Sequence, residues 1–104
     1  MTYDIILEPE VHAIRLTLPG HIRQRIRRLI DDLSTDPRSH TSRALDITAI
    51  DLPPGVEIRR VRLERWRIVY AVNDADGWVW VLGIRQRPPY NYSDLPELAR
   101  KIQP

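Results

Sequence analysis

Arginines and tyrosines in the second half of the sequence are the side chains best suited to chemistry. Five of the twelve residues in the segment 59–70, RRVRLERWRIVY, are arginine. A guanidinium group is planar and presents paired N–H donors that match the oxygens of a phosphate group. Fixed guanidiniums also stabilise negative charge that develops on phosphate oxygens during a reaction. The segment therefore indicates binding of a phosphate ester.

A second arginine-containing segment is followed by two tyrosines. VLGIRQR ends at Arg87, Tyr90 directly follows a proline pair, and Tyr92 comes two residues later. Tyrosine rings stack on RNA bases, and a tyrosine hydroxyl in a strongly cationic pocket can have a lowered pKa. Either tyrosine is therefore a candidate for proton transfer. The alternative is that one of them packs the C-terminal helix against the sheet.

The composition limits the class of protein. The chain has 104 residues, of which 42% are hydrophobic, and this length predicts one domain spanning 1–104. It contains no cysteine, which excludes disulfides and cysteine-based zinc sites. The N-terminus lacks the pattern of a secretory signal, and no apolar run approaches the roughly 20 residues of a membrane span. We therefore expect a soluble cytoplasmic protein without a membrane partner.

The basic residues are almost all of one kind. The chain has 16 basic and 14 acidic residues, and Lys101 is the only lysine. Codon bias in a GC-rich genome accounts for surface arginines as well as phosphate binding does. The distribution of the arginines must therefore distinguish these two interpretations.

Residue patterns predict the element order β-α-α-β-β-β-α. The apolar stripe of the second helix, with Ile22, Ile26, Leu29, Ile30 and Leu33, is the clearest helical signal. The first helix begins at Pro9 with Val11, Ile14, Leu16 and Leu18 on its apolar side. Within 36–56 only residues 44–47 are expected to be extended, and Ser93 or Asp94 is expected to cap the last helix. The predicted strands are 3–7, 57–63, 66–73 and 77–85, and the predicted helices are 9–18, 21–33 and 96–103.

The alternation of side chains along a strand places the arginines on one face of a hairpin. If Glu64 and Arg65 form a two-residue turn, Arg62 lies opposite Arg67 and Arg60 lies opposite Val69. The apolar residues then share the other face, which packs against the helices. Like charges directly across a strand pair destabilise a sheet, and a bound anion would remove that cost. We therefore expect an open, cationic sheet face.

The last strand extends this prediction. Its alternation assigns Trp78, Trp80, Leu82 and Ile84 to the helix-packed face. It assigns Arg85 and Arg87 to the arginine face, together with Val79, Val81 and Gly83, and Gly83 would leave open space there.

The element order and two motifs resemble the RelE/ParE superfamily of small bacterial toxins. The first motif is RVRLERWRIVY, where the family has two basic residues, a short turn, an aromatic residue and R-[LI]-[VI]-Y. The second is VLGIRQR with a tyrosine shortly after it. LP before a basic helix and DPR in the first half add to a resemblance that covers most of the chain. It implies an α+β microbial-RNase-type fold, in which an antiparallel sheet of about four strands packs on two N-terminal helices and a short C-terminal helix follows.

The resemblance also implies a function and a site. The protein would cut mRNA in the ribosomal A site without a metal or other cofactor, as the toxin of a type II toxin–antitoxin pair. Its partners would be a cognate antitoxin, the ribosome and mRNA. By this resemblance Arg67 and Arg87 contact the scissile phosphate, and Tyr90 or Tyr92 is the catalytic tyrosine. The other phosphate-binding candidates are Arg60, Arg62 and Arg85.

The sequence departs from the family pattern at the general base. Arg60 and Arg62 stand where the family often has lysine, and arginine, with a pKa above ~12, is a poor base. Glu64 stands where the family often has glycine, which is expected to matter for the turn and not for catalysis. Glu57 and His40 are possible helpers or ordinary surface residues. No general base is identified by the sequence.

Three functions remain open at this point. The first is the mRNA endonuclease, the second is a non-enzymatic ParE-like toxin that poisons DNA gyrase, and the third is a decayed member that only binds antitoxin. The arginine–tyrosine combination favours the first. Arg23 and Arg27 on the basic second helix are expected to contact either ribosomal RNA or an acidic antitoxin helix.

Overall fold

The computed structural model describes residues 2–102, which form five strands and three helices. None of these helices combines the length and the hydropathy needed to cross a membrane. The order of elements confirms the predicted one, with one additional strand, and the predicted end of the last helix at 103 lies outside the described residues. The elements are β1 Asp4–Leu7, α1 Pro9–Thr17, α2 Gly20–Leu33, β2 Ser42–Ala44, β3 Val56–Leu63, β4 Trp66–Asn73, β5 Trp78–Gln86 and α3 Leu95–Arg100.

The five strands form one mixed sheet in the order β1-β5-β4-β3-β2. β1 runs parallel to β5, and the other neighbours are antiparallel. The predicted count of about four strands omitted β2, which has only three residues and lies at the edge. The extended structure expected at 44–47 lies slightly earlier in the chain, because Ser42, Arg43 and Ala44 pair with β3.

One face of the sheet packs against α1 and α2. The predicted stripe of α2 is confirmed, because Ile22, Ile26, Ile30 and Leu33 are buried while its arginines are exposed. Burying one such aliphatic side chain contributes about 1.5–3 kcal/mol, so this stripe anchors the helix. The expectation for Leu16 was wrong, since it is 58% exposed on α1.

The other face of the sheet is not open along its length. Leu95, Leu98 and Ala99 of α3 pack on it together with apolar residues of the segment 45–52. They cover Ile58, Val69, Ala71 and Leu82, which form a second buried cluster. The prediction of an open face therefore holds only near the β3–β4 turn, where Arg62 remains exposed.

A β-bulge between β4 and β5 changes the faces predicted for the last strand. Val69 pairs with Gly83 but Tyr70 pairs with Val81, so Leu82 is the extra residue. As a result Trp78, Trp80 and Leu82 lie on the α3 side, whereas Val79, Val81 and Ile84 lie on the side of α1 and α2. The predicted grouping of Trp78, Trp80, Leu82 and Ile84 on one face was therefore wrong, as was that of Val79 and Val81 with the arginines.

Candidate functional site

The β3–β4 hairpin has the predicted two-residue turn at Glu64 and Arg65. Leu63 pairs with Trp66, and Arg62 pairs with Arg67, as the alternation required. Glu64 adopts a φ of 52°, in the left-handed region that this kind of turn favours for glycine or asparagine. The turn thus forms without the usual residue, and it places Arg62 and Arg67 side by side.

Four arginines meet in a cavity beside this turn. The cavity has a volume of about 520 Å³. Arg87 reaches it from the end of β5, because its backbone N–H donates to the carbonyl of Arg65 at 2.7 Å. We call this feature the arginine cavity, and its lining residues are Arg62, Glu64, Arg65, Trp66, Arg67 and Arg87.

Three guanidiniums of the arginine cavity form no ion pair with a carboxylate of the described residues. Arg67 Nη1 donates to the backbone carbonyls of Glu64 at 3.2 Å and Trp66 at 3.3 Å, which hold the guanidinium in place. Among residues 2–102, no carboxylate forms an ion pair with Arg62, Arg67 or Arg87. The cavity is therefore suited to a polyanionic ligand.

A second cationic cavity lies on the β2 side of the same hairpin. Arg43 pairs with Arg60 across β2 and β3, and His40 precedes this edge strand. The cavity has a volume of about 540 Å³ and shares Arg62 and Glu64 with the arginine cavity. Its lining residues are His40, Thr41, Arg43, Arg60, Arg62 and Glu64.

Arg85 turns away from the arginine cavity and toward carboxylates. Its Nη2 lies 3.1 Å from Glu10 Oε1, and its Nε donates to Asp94 Oδ2 at 3.3 Å. Its guanidinium also fills the space above Gly83, where an added Cβ would lie 3.1 Å from Nη1. The open space predicted at Gly83 is therefore occupied, and the charge of Arg85 is balanced inside the protein.

The hydroxyl of Tyr90 bonds to the carboxylate that Arg85 also contacts. It donates to Asp94 Oδ1 at 2.6 Å. Burial, followed by this hydrogen bond to a carboxylate, raises the pKa of Tyr90 above the ordinary tyrosine value. The expectation that the cationic surroundings lower the pKa of this tyrosine was therefore wrong.

Tyr92 contacts the arginine cavity through its ring and not through its hydroxyl. Arg87 Cζ lies 5.5 Å from the ring centroid, a distance at which a guanidinium is attracted to an aromatic face. The ring also packs edge-on against Tyr90, with centroids 4.7 Å apart. Its hydroxyl is buried and has no hydrogen-bond partner within the described part of the chain. Both tyrosines thus pack in the cluster beneath α3, as the alternative interpretation had it for one of them.

Solved structures with a similar fold include RelE toxins and toxin–antitoxin complexes. The archaeal RelE of the RelE–RelB complex from Pyrococcus horikoshii superposes with a TM-score of 0.74 at 22% identity, over 86% of this chain and 100% of that one. The chain has the RelE fold. RelBE2 from Mycobacterium tuberculosis gives a TM-score of 0.66 at 19% identity, over 84% and 100% of the two chains. A mutant of the Escherichia coli toxin RelE in the free state gives 0.61 at 19%, over 97% of each chain.

Comparisons of the sequence alone identify no family and no relative for this chain. No protein-family model matches the chain, and no curated protein matches its sequence significantly. At identities near one fifth, the structural matches establish the RelE fold alone.

The two possible helper residues lie in different places, and two cavity arginines were missed. Glu57 lies on the opposite sheet face and forms ion pairs with Arg38 and Arg59, so it is removed from the arginine cavity. His40 lines the second cavity. Arg65 and Arg43 were not predicted, although the turn position of Arg65 and the pairing of β2 with β3 place them beside the named arginines.

The arginines of α2 are presented to solvent on the RelE fold. Arg23 and Arg27 are exposed, and neither forms an ion pair with a residue in the range 2–102. Arg25 on the same helix reaches the hairpin turn, where its Nη1 lies 3.6 Å from Glu64 Oε2. The basic surface of α2 is therefore continuous with the edge of the arginine cavity.

Proposed function

We propose that this protein is the toxin of a type II toxin–antitoxin pair and that it cleaves mRNA on the ribosome without a metal ion. The observation that supports this proposal is the arginine cavity, in which four guanidiniums converge without a carboxylate partner for Arg62, Arg67 or Arg87 among the described residues. RelE toxins and RelE–RelB complexes are among the solved structures with this fold.

The cavity suits the charge that develops during RNA cleavage. In the proposed reaction the ribose 2′-OH attacks the adjacent phosphorus and the 5′-oxygen leaves. Negative charge grows on the phosphate oxygens, and preorganised donors aimed at that charge lower the barrier. Arg67 and Arg87 act on the scissile phosphate in this proposal, and Arg60 and Arg62 bind the flanking backbone.

The remaining predicted site residues take different roles in this proposal. Arg85 is held by Glu10 and Asp94, so it fixes the end of α3 near the site and binds RNA only if those ion pairs open. Tyr92 positions Arg87 through its ring. Tyr90 transfers a proton only if it gives up its hydrogen bond to Asp94.

The partners follow from the charge of the surface. An antitoxin segment rich in carboxylates would neutralise the arginine cavity, and mRNA phosphates would compete with it for the same guanidiniums. Arg23 and Arg27 contact ribosomal RNA in this proposal, which makes ribosome binding dependent on salt. A ribosomal substrate also implies a cytoplasmic location.

The experiment is cleavage of a translated mRNA on 70S ribosomes, with free RNA run in parallel. Arg67→Ala and Arg87→Ala should each reduce the cleavage rate by about 10²–10³-fold, the effect of removing one donor from an oxyanion site. Arg15→Ala is the matched control. Arg15 is partly exposed on α1, lines neither cationic cavity and hydrogen-bonds only to His12 Nδ1 among the described side chains, so the rate should stay unchanged.

The absence of cleavage by the wild-type protein would contradict the proposal. If the wild-type protein does not cut mRNA on ribosomes, it is not this kind of endonuclease. If it nevertheless arrests growth when expressed alone, inhibition of DNA gyrase is the next activity to assay, and the arginines become a binding surface.

A further inference from the structure

The proposed reaction needs a group that takes the proton from the 2′-OH, and the arginines and tyrosines of the site do not supply one. An arginine, with a pKa above ~12, is a poor base. The hydroxyl of Tyr90 is bonded to Asp94, and that of Tyr92 is buried. A proton acceptor must therefore come from another residue at the arginine cavity.

Glu64 is in the right place for this role. It is the one carboxylate among the described residues that line the arginine cavity, and it also lines the second cavity. Its own backbone carbonyl accepts the hydrogen bond from Arg67 Nη1. The residue that helps to hold one phosphate-binding guanidinium thus carries a carboxylate at the junction of both cavities.

The backbone conformation of Glu64 is independent evidence that its side chain has a function. Its φ of 52° lies in the left-handed region, which a residue with a Cβ occupies at an energetic cost. Glycine or asparagine would form the same turn with less strain. Strain retained beside a cationic cavity points to a role for the side chain, because strained residues cluster at functional sites.

The side chain of Glu64 is free to reach a ligand. Its ion pair with Arg25 spans 3.6 Å, which is longer than a hydrogen bond, and the two side chains are 54% and 53% exposed. Such an exposed pair is weak and readily exchanged. The carboxylate can therefore leave Arg25 when RNA phosphates enter between the arginines.

We propose that the Glu64 carboxylate is the general base of the reaction, an inference that rests on the proposed endonuclease function. The 2′-O–H bond breaks and its proton passes to the Glu64 carboxylate while the bond between O2′ and phosphorus forms. The bond between phosphorus and O5′ breaks, and the 5′-oxygen takes a proton from water. The products are a 2′,3′-cyclic phosphate and a 5′-hydroxyl, and Glu64 then returns its proton to solvent.

The test compares wild type, Glu64→Gln, Glu64→Asp and Glu64→Asn in single-turnover cleavage of mRNA on 70S ribosomes. Glu64→Gln keeps the size of the side chain but cannot accept the proton, so its rate should fall about 10²-fold or more. Glu64→Asp should recover part of that loss. Glu64→Asn suits the left-handed turn, so it should fold at least as stably as wild type and still fail to cut. Glu97→Gln, an exposed position on α3, is the matched control and should cut at the wild-type rate.

Two further measurements separate catalysis from structure. Affinity for ribosomes should not fall in Glu64→Gln, because no phosphate-binding cation is removed. The rates of wild type and Glu64→Gln should also differ in their dependence on pH, because only wild type carries a carboxylate that accepts the proton. The other charged or titratable groups that face Glu64 or line the two cavities are Arg25, Arg43, Arg60, Arg62, Arg65, Arg67, Arg87 and His40.

The outcomes distinguish this inference from the proposed function. If the wild-type protein cuts and Glu64→Gln cuts equally well, the endonuclease stands and the role of Glu64 is refuted. If Glu64→Gln loses ribosome binding or folding together with cleavage, the role of Glu64 is structural and the inference is also refuted. If wild type itself does not cut, both proposals fall.

Discussion

Arg67 and Arg85 face each other across β4 and β5, but they are held in opposite ways. Arg85 lies among the carboxylates of Glu10 and Asp94, and 21% of its side chain is exposed. Arg67 has only backbone carbonyls as partners in the described residues. Arg85 therefore connects α1 to the residue before α3 through ion pairs. Arg67 keeps its charge available for a ligand.

The difference arises from what each half of the sheet face touches. α3 and the start of α1 bring Asp94 and Glu10 to Arg85, where the face is covered. Within residues 2–102, the half nearest the β3–β4 turn is not covered by α3, and Arg62 and Arg87 are exposed there. The residue type is the same on both halves, and the packing of the neighbouring helices decides its role.

The largest expected effect on stability is at Asp94, because Arg85 and Tyr90 both bond to its carboxylate. Asp94 accepts hydrogen bonds from both Tyr90 and Arg85. Asp94→Ala leaves both donors without this acceptor, so the free energy of unfolding should fall by about 2–3 kcal/mol. Urea unfolding measures this, with the exposed Glu97→Ala on the same helix as the control. A loss no larger than that of the control would mean that α3 is held by its apolar contacts alone.

The second prediction compares how much Arg85 and Arg67 each contribute to the free energy of unfolding. Arg85→Ala removes the partner of Asp94 and Glu10 and should lower the free energy of unfolding by about 1–2 kcal/mol. Arg67→Ala removes bonds to the backbone carbonyls of Glu64 and Trp66, and it should change the free energy of unfolding by less than about 0.5 kcal/mol. Thermal unfolding of the two variants in parallel is the measurement. Equal losses would show that both arginines are structural and would weaken the case for the arginine cavity.

The contrast between the two halves was only partly predictable from the sequence. Alternation along the strands gave the correct pairing of Arg62 with Arg67, because the turn at Glu64 and Arg65 preserves the parity of β3 and β4. The faces of β5 were predicted wrongly, because the bulge at Leu82 shifts the alternation by one residue. Gly83 in the strand interior is a signal of such a bulge, and it was interpreted as open space instead.

The roles of individual charged side chains were harder to predict than the strands. The sequence pattern placed Arg85 with the other arginines, but it contains no information on which carboxylates α1 and α3 bring near. The pKa of Tyr90 was expected to be lowered by a cationic pocket, whereas its hydroxyl bonds to the carboxylate of Asp94. Tertiary contacts between distant segments decided the role of Arg85, and the fold of the segment before α3 decided that of Tyr90.

The smallest expected effect concerns the pH dependence of the hydrogen bond from Tyr90 to Asp94. Tyr90→Phe removes one hydrogen bond to Asp94 and should lower the free energy of unfolding by about 1 kcal/mol at pH 8. The pKa of Tyr90 is raised in the folded state, so the folded protein keeps this proton at a pH where the unfolded chain loses it. The stabilisation is therefore complete below about pH 10, the ordinary tyrosine value, and is lost as the pH rises above it.

Comparison of wild type with Tyr90→Phe by urea unfolding between pH 8 and pH 11 isolates this contribution. Tyr70 is also buried, and its pKa is raised by that burial, so wild type and variant share the alkaline loss that Tyr70 causes. The difference between the two proteins should accordingly shrink above about pH 10. A difference that stays constant up to pH 11 would show that Tyr90 contributes through packing alone. The polar contact at the start of α3 would then be the ion pair between Arg85 and Asp94.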